Sequence, residues 1–343
     1  MIGYYVHHHG AGHGRRAAAV SGRLGDELVG LGSGGAPEGW AGATWIELAR
    51  DDGEPGVEPT DPTRRGAWHW VPPDHAGFTA RMRTIAAWIA DTHPAAMVVD
   101  VSVEVTALVE LLGTSVATVV LPGDRSDRPH RLALDTASLV VAPWTPPDPT
   151  GWCRAHGRRA VVTGGFGRFD GRSPAPPGHP GRVVALLGTG GSERLRRVIP
   201  AAVATTPPWD WHVAGAGEPV DGARGHGWVA DPWPLLGSAA VVVTGCGGAT
   251  LSEVAAARRP AVLVAEDRPF AEQHRAAEAL RAAGAPVVVV PADDSAPAWP
   301  DLLAEASGLD GARWARTHDG HGADRFCAAV RTLVAGAAAP PLR

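Results

Sequence analysis

Residues Val241-Val242-Val243-Thr244-Gly245-Cys246-Gly247-Gly248-Ala249-Thr250-Leu251-Ser252-Glu253 decide how the rest of this chain is read. Three consecutive β-branched residues make a short apolar run, the pattern of a strand buried on both faces. Gly245, Gly247 and Gly248 then permit a tight turn and close approach of a ligand to the backbone. Thr250 is placed to cap the helix that follows, and Leu251, Val254 and Ala255 give that helix an apolar stripe. A glycine turn running into a helix start offers unpaired N–H groups at the positive end of the dipole, which suits a diphosphate. Glu253 stands one turn further in, able to accept hydrogen bonds from sugar hydroxyls beside such a group. The same residues also read structurally. Thr250-x-x-Glu253 is a capping box, in which Glu253 only ties down the helix start.

The flanks extend the pattern. Trp228 and Val229 precede it, Pro260 to Ala265 reads as the next strand, and a loop from Glu266 to Phe270 leads to Glu272-Gln273. From Trp228 to Gln273 the chain resembles the nucleotide-sugar-binding region of GT-B glycosyltransferases. It is similar to the box of plant secondary-product glycosyltransferases, with Trp228, Thr244, Cys246, Gly247, Thr250, Glu253, Glu272 and Gln273 in register. It is also similar to the C-terminal part of MurG-type enzymes. Gly245, Gly248 and Ala249 stand where the plant box has His, Trp and Asn, which leaves backbone N–H groups to meet the diphosphate. The resemblance implies that Trp228 or Val229 contacts the base, Gly247, Gly248 and Thr250 the diphosphate, Glu253 the ribose, and Glu272 with Gln273 the donor sugar. Interface packing for Trp228 and helix capping for Gln273 are the structural alternatives.

A chain of 343 residues exceeds what one core comfortably serves, so two domains are expected. The composition, 45% apolar and 20% charged, is that of an ordinary globular protein. A net charge of −5 argues against a nucleic-acid partner. All 31 basic residues are Arg, which reads as codon bias and not as phosphate binding. Cys153, Cys246 and Cys327 are widely spaced and odd in number, so no disulfide framework is expected and a reducing, cytoplasmic setting fits. No apolar run reaches about 18 residues, and no basic stretch leads a signal-like segment, so neither a membrane span nor a signal peptide is expected.

Ile2 to Val6 reads as a first strand, followed by a glycine loop and an Ala-rich helix from about Arg15, the opening of an α/β domain. The spacing of that loop is not a dinucleotide fingerprint. His7-His8-His9 on an extended segment would point alternately to opposite faces and not converge on an ion. His13 lies at the C-terminal edge of the first strand, where open α/β sheets bind ligands. Gly10-Ala11-Gly12-His13-x-x-Arg16 resembles the Gly-x-Gly-His loop of several GT-B families, and a loop His bonded to backbone is the alternative. Trp40, Trp45, Trp68 and Trp70, within the weakly periodic residues 32 to 75, read mainly as packing. Phe78 to Thr92 and Val103 to Leu112 read as helices. Strands are expected at Met97 to Val101, Val116 to Leu121 and Leu139 to Val141, with a charged loop at Pro122 to Arg128 that reads as solvated, contact with the acceptor being the alternative. The Pro- and Gly-rich segment from Gly171 to Arg182 reads as the linker. After it come a strand at Val183 to Leu187 and a second glycine loop, Gly188-Thr189-Gly190-Gly191-Ser192, with a helix near Ser192.

The expected fold is therefore α/β of GT-B type, two Rossmann-like domains facing a cleft. Residues 1–170 form the acceptor side, 171–182 the linker and 183–335 the nucleotide-sugar side, with the last helix crossing back to the first domain. The resemblance implies metal-independent, inverting transfer of a sugar from a nucleoside-diphosphate sugar, UDP favoured, to an acceptor hydroxyl. The acceptor would be a small molecule, a lipid-linked sugar or a glycan, the lipid case bringing peripheral membrane contact. The helix starts after Gly188 and Gly190 and after Gly247 would stabilise the leaving diphosphate. His13 would be the general base, because an imidazole titrates near operating pH, and Asp100 would orient it as the second catalytic residue. A strand-end turn is the alternative role for Asp100. No metal ligands and no cofactor are expected beyond the nucleotide-sugar substrate. The acid pairs Asp51-Asp52 and Asp293-Asp294 are not an Asp-x-Asp motif. A nucleotide-sugar epimerase or hydrolase and a non-catalytic nucleotide-sugar-binding subunit are the rivals on this fold.

Overall fold

The computed structural model describes residues 1–52, 59–157, 159–188, 190–293 and 296–337. Thr189 of the second glycine loop and Asp294 of the second acid pair lie outside the described residues. The chain divides into two compact units. One comprises Met1–Pro143, Asp148–Thr163 and the residues from Ala323 on; the other comprises Trp144–Pro147 and Gly164–Gly322. The Pro-rich stretch 171–182 falls inside the second unit, so the division lies earlier than the expected linker, at Thr163 and Gly164.

In the first unit β1 (Ile2–Val6), β2 (Leu28–Gly32), β3 (Thr44–Glu47), β4 (Ala96–Asp100), β5 (Val116–Val119), β6 (Leu139–Ala142) and β7 (Ala160–Val162) form one sheet. The order is β3-β2-β1-β4-β5-β6-β7, and every pairing is parallel. The crossovers carry α1 (Ala11–Leu24), α2 (Ala76–Thr92), α3 (Val103–Leu111), α4 (Arg128–Thr136) and α5 (Pro149–Ala155). Strands covered on both faces by helices need apolar residues at successive positions, as Ala96 to Val99 show, all fully buried. β2, Leu-Val-Gly-Leu-Gly, is not among the strands expected from the sequence. A Cβ on its Gly30 would stand 2.3 Å from the Trp45 ring, and the Trp40 ring lies beside it. Trp40 and Trp45 meet edge to face at 5.3 Å, so both are packing residues. The loop after β5 is not simply solvated. Arg125 is tied to backbone carbonyls and His130, and Asp127 caps α4.

In the second unit β8 (Arg182–Leu186), β9 (Asp210–Ala214), β10 (Ala223–Gly227), β11 (Val241–Thr244), β12 (Ala261–Leu263) and β13 (Val287–Val289) form a second parallel sheet. Its order is β10-β9-β8-β11-β12-β13. α6 (Glu193–Thr205), α7 (Trp233–Ser238), α8 (Gly248–Ala256) and α9 (Glu272–Ala282) connect the strands, and α10 (Trp299–Ser307) follows the last of them. Val183 to Leu186 and Val241 to Val243 form the buried centre.

The last helix, α11 (Gly322–Ala337), packs on the first unit. Phe326 stacks on Tyr4 of β1, and Asp324 pairs with Arg23 of α1 at 3.0 Å. Among the described residues no helix is long and apolar enough to cross a membrane.

Candidate active site

Open parallel sheets bind ligands beyond the carboxyl ends of the strands, where the strand order reverses. In the second sheet the reversal lies between β8 and β11. The stretch after β8 and the turn after β11 meet there, because a Cβ on Gly188 would lie 3.9 Å from Thr250 Oγ1. Gly247 is the N-cap of α8, extended at φ −68° and ψ 128°, and no side chain caps the helix. Thr250 is therefore its third residue and not the cap, which overturns the capping-box reading. The first N–H groups of α8 carry no side-chain cap, with the dipole behind them.

The other helix start differs. Glu266, buried in the loop after β12, accepts from the N–H of Arg194 and of Leu195, both at 2.9 Å. The protein's own carboxylate thus occupies the start of α6. Of the two starts expected to face a diphosphate, α8 alone is clear of such a group.

Glu253 is buried on α8, and its Oε1 accepts from Arg168 Nε at 2.8 Å. Arg168 Nη1 also donates to the Ala230 carbonyl at 2.8 Å, tying the segment after β10 to α8. Trp228 begins that segment and is 55% exposed, while Val229 packs on the core. Gln273 stands in the first turn of α9, after Phe270 and Ala271 in left-handed conformations (φ 61° and 54°). Its Oε1 accepts from the backbone N–H of Cys246 and of Glu266, each at 3.0 Å. The oxygen thus holds together the turns after β11 and β12, and only the amide NH2 remains to meet a ligand. Glu272, beside it, is half-buried.

In the first sheet the order reverses between β1 and β4. α1 begins at Ala11, earlier than expected, so His13 lies in its first turn and not in the loop. His13 Nδ1 is 3.0 Å from Asp100 Oδ1, and Asp100, the last residue of β4, is fully buried. Arg16 Nη1 reaches both carboxylate oxygens, at 2.7 and 2.8 Å, and the Tyr4 hydroxyl donates to Asp100 at 3.4 Å. Burial alone would raise the Asp100 carboxyl; the Arg16 guanidinium and then His13 outweigh it and hold it at about 2. Val101 follows at φ 67°, a strained conformation for a β-branched residue.

The three consecutive histidines do not diverge as an extended segment would make them. β1 ends at Val6, and the chain bends so that His7 and His8 rings stack at 5.1 Å and His8 and His9 lie 4.3 Å apart. Burial, followed by the neighbouring rings, holds His7 well below the usual range; burial and Arg81 hold His8 near 4. Two groups of potential metal ligands occur among the described residues: His8, His9 and Asp52, and His69, Asp127 and His130. In each, an arginine faces one ring nitrogen. Arg81 Nη2 is 3.2 Å from His8 Nδ1, and Arg125 Nη1 is 3.2 Å from His130 Nε2. An arginine can only donate, so the neutral ring carries its proton on the other nitrogen, which faces the carboxylates. A metal needs a lone pair at that nitrogen and an acceptor, not a donor, behind the ring. His69, Asp127 and His130 are joined by hydrogen bonds, whereas His8 Nε2, 3.4 Å from Asp51, is buried without a hydrogen-bond partner among the described residues.

His13 and Asp100, chosen from sequence, are thus in contact, and Gly188 and Thr250 lie together at the other reversal point, with Glu253 one turn further along α8. Sequence reasoning missed Arg168 and Glu266, and it named Arg16 only as part of a motif.

No protein-family model and no curated protein sequence matches the chain. Solved structures do match along nearly its whole length. The spinosyn forosaminyltransferase SpnP superposes with a TM-score of 0.67 at 14% identity, covering 97% of this chain and 99% of its own. MurG of Acinetobacter baumannii gives 0.64 at 12%, covering 96% and 99%. LpCGTa in complex with UDP gives 0.65 at 12%, covering 99% of both chains. The chain therefore has the GT-B fold of glycosyltransferases, with two Rossmann-like sheets.

Proposed function

We propose that this protein transfers a sugar from a nucleoside-diphosphate sugar, UDP favoured, to the hydroxyl of an acceptor. The observation that carries the reading is the His13–Asp100 contact at the reversal point of the first sheet. Asp100 takes the Nδ1–H of His13, which leaves the Nε2 lone pair as the base. His13 removes the acceptor proton as the acceptor oxygen bonds to the anomeric carbon. The bond from that carbon to the diphosphate oxygen breaks, and its electron pair leaves on the diphosphate. One displacement of this kind inverts the anomeric centre.

The donor belongs to the second unit. The uncapped start of α8 receives the diphosphate, where N–H groups and the dipole offset the leaving charge. Trp228 offers an exposed face to the base, and Glu253 accepts from the ribose hydroxyls. Glu272 and the amide NH2 of Gln273 meet the sugar. UDP bound by a protein of this fold supports the donor class. Calorimetric and thermal-shift titration with nucleoside diphosphates and their sugars tests the reading, followed by product analysis with an acceptor panel. Binding of a diphosphate well above its monophosphate supports it. Absence of any nucleotide response counts against it.

A further inference from the structure

We infer that Arg16 is a positioning residue for the base, carrying the countercharge of Asp100 so that His13 stays neutral and able to accept a proton. The inference rests on the reading of His13 as base.

Asp100 has no exposed surface. A carboxylate at that depth is tolerated only beside a cation. Two groups are within reach: Arg16 Nη1, at 2.7 and 2.8 Å from both oxygens, and His13 Nδ1, at 3.0 Å from one. Arginine is charged at every accessible pH, whereas histidine is charged only when protonated. With Arg16 in place, the arginine and carboxylate already balance, and His13 donates one N–H without carrying a charge. Without Arg16, the buried carboxylate would draw a proton onto His13 to make its own ion pair. An imidazolium has no lone pair, so the base would be lost near neutral pH.

Among the described residues, Tyr4, His7 and Cys327 stand beside this cluster with Arg16 and are uncharged near neutral pH. Tyr4 on β1 donates a hydroxyl to Asp100, and burial pushes its phenol well up. His7, after β1, has its ring 5.6 Å from that of His13 and is held neutral by burial. Cys327 on α11 lies near Tyr4, and burial pushes its thiol up to about 11. Arg16 stands one turn after His13 on α1, so the helix itself sets both on the carboxylate.

The test titrates the His13 ring by NMR in the full chain without substrate, beside the pH profile of kcat/KM. In Arg16→Met the ring midpoint should rise by about one pH unit or more, a tenfold or larger shift of the protonation equilibrium. Turnover at pH 7 should fall severalfold, by about threefold or more, and recover as the pH is raised. Arg16→Lys, which keeps the cation, should restore most of both. Asp100→Asn, which leaves the cation without its carboxylate and removes the buried charge, should move the midpoint down; it keeps the test open should Arg16→Met fail to fold. A midpoint unchanged or lowered in folded Arg16→Met, or raised in Asp100→Asn, overturns the inference. If the midpoints move as expected but His13→Ala turns over like the wild type, the base assignment fails while the coupling stands, so the two failures are told apart.

Discussion

Arg168 and Glu253 form a part-buried ion pair, Nε to Oε1 at 2.8 Å, although 85 residues separate them. The pair replaces the capping role that Thr250-x-x-Glu253 suggested. It holds Glu253 as a charged acceptor on α8, while the same guanidinium grips the Ala230 carbonyl two residues after Trp228. If Glu253 takes the ribose hydroxyls, Glu253→Ala weakens nucleoside-diphosphate binding by about 1.5–3 kcal/mol, roughly tenfold to more than a hundredfold in Kd. Calorimetry on the folded variant measures this. Undiminished affinity with reduced stability would leave Glu253 a purely structural partner of Arg168.

Gln273 separates architecture from recognition. Gln273→Leu leaves the N–H groups of Cys246 and Glu266 unsatisfied in a buried setting, at about 1–3 kcal/mol each. Gln273→Glu keeps an acceptor for both N–H groups but removes the NH2. The leucine variant should lose several degrees of Tm. The glutamate variant should melt near the wild type yet bind the nucleotide sugar more weakly, with affinity for the free diphosphate less affected. Equal melting of all three proteins would show that the two bonds contribute nothing.

Acid stability follows from the perturbed groups. Burial, reinforced by neighbouring arginines, holds His8, His130 and His318 near 4, below the roughly 6.5 of an unfolded chain. The unfolded state therefore binds more protons in this window, and their contribution is complete above about pH 6.5 and lost as pH falls toward 4. Asp100, near 2 in the fold against roughly 3.9 unfolded, contributes about 2–3 kcal/mol above that value, lost as pH falls toward 2. Tm should decline from about pH 6.5 and more steeply below 4, with the second limb shallower in Asp100→Asn, since Asp52, Asp127 and Asp210 are also held below the usual carboxylate range. A flat Tm from pH 7 to 4 would contradict the assignment.

Much of this was legible because the signals are local. The β-branched run at Val241 to Val243 and the glycines after it mark a strand, turn and helix from a dozen residues. β2 was not legible, because Gly30 and Gly32 interrupt the strand pattern to make room for Trp45. β10, Ala-Arg-Gly-His-Gly, is an edge strand with no β-branched residue. Pairings across the fold left no mark in sequence: nothing near Glu266 points to Arg194 and Leu195, 72 and 71 residues away. The N-cap of α8 was misplaced because Thr250 is the better capping residue, but the chain is already helical at Gly248.

The scheme places the leaving charge on backbone N–H groups, so transfer should persist in excess EDTA. A complete loss, restored by Mg²⁺ or Mn²⁺, would require a different account of the diphosphate.

The central claim is that His13 takes the acceptor proton, and the rate of sugar transfer by His13→Ala tests it most directly. The account predicts a fall in kcat of roughly 10²–10⁴-fold, with the affinity for the nucleoside diphosphate close to that of the wild type. Near-full turnover by a correctly folded His13→Ala protein would contradict it.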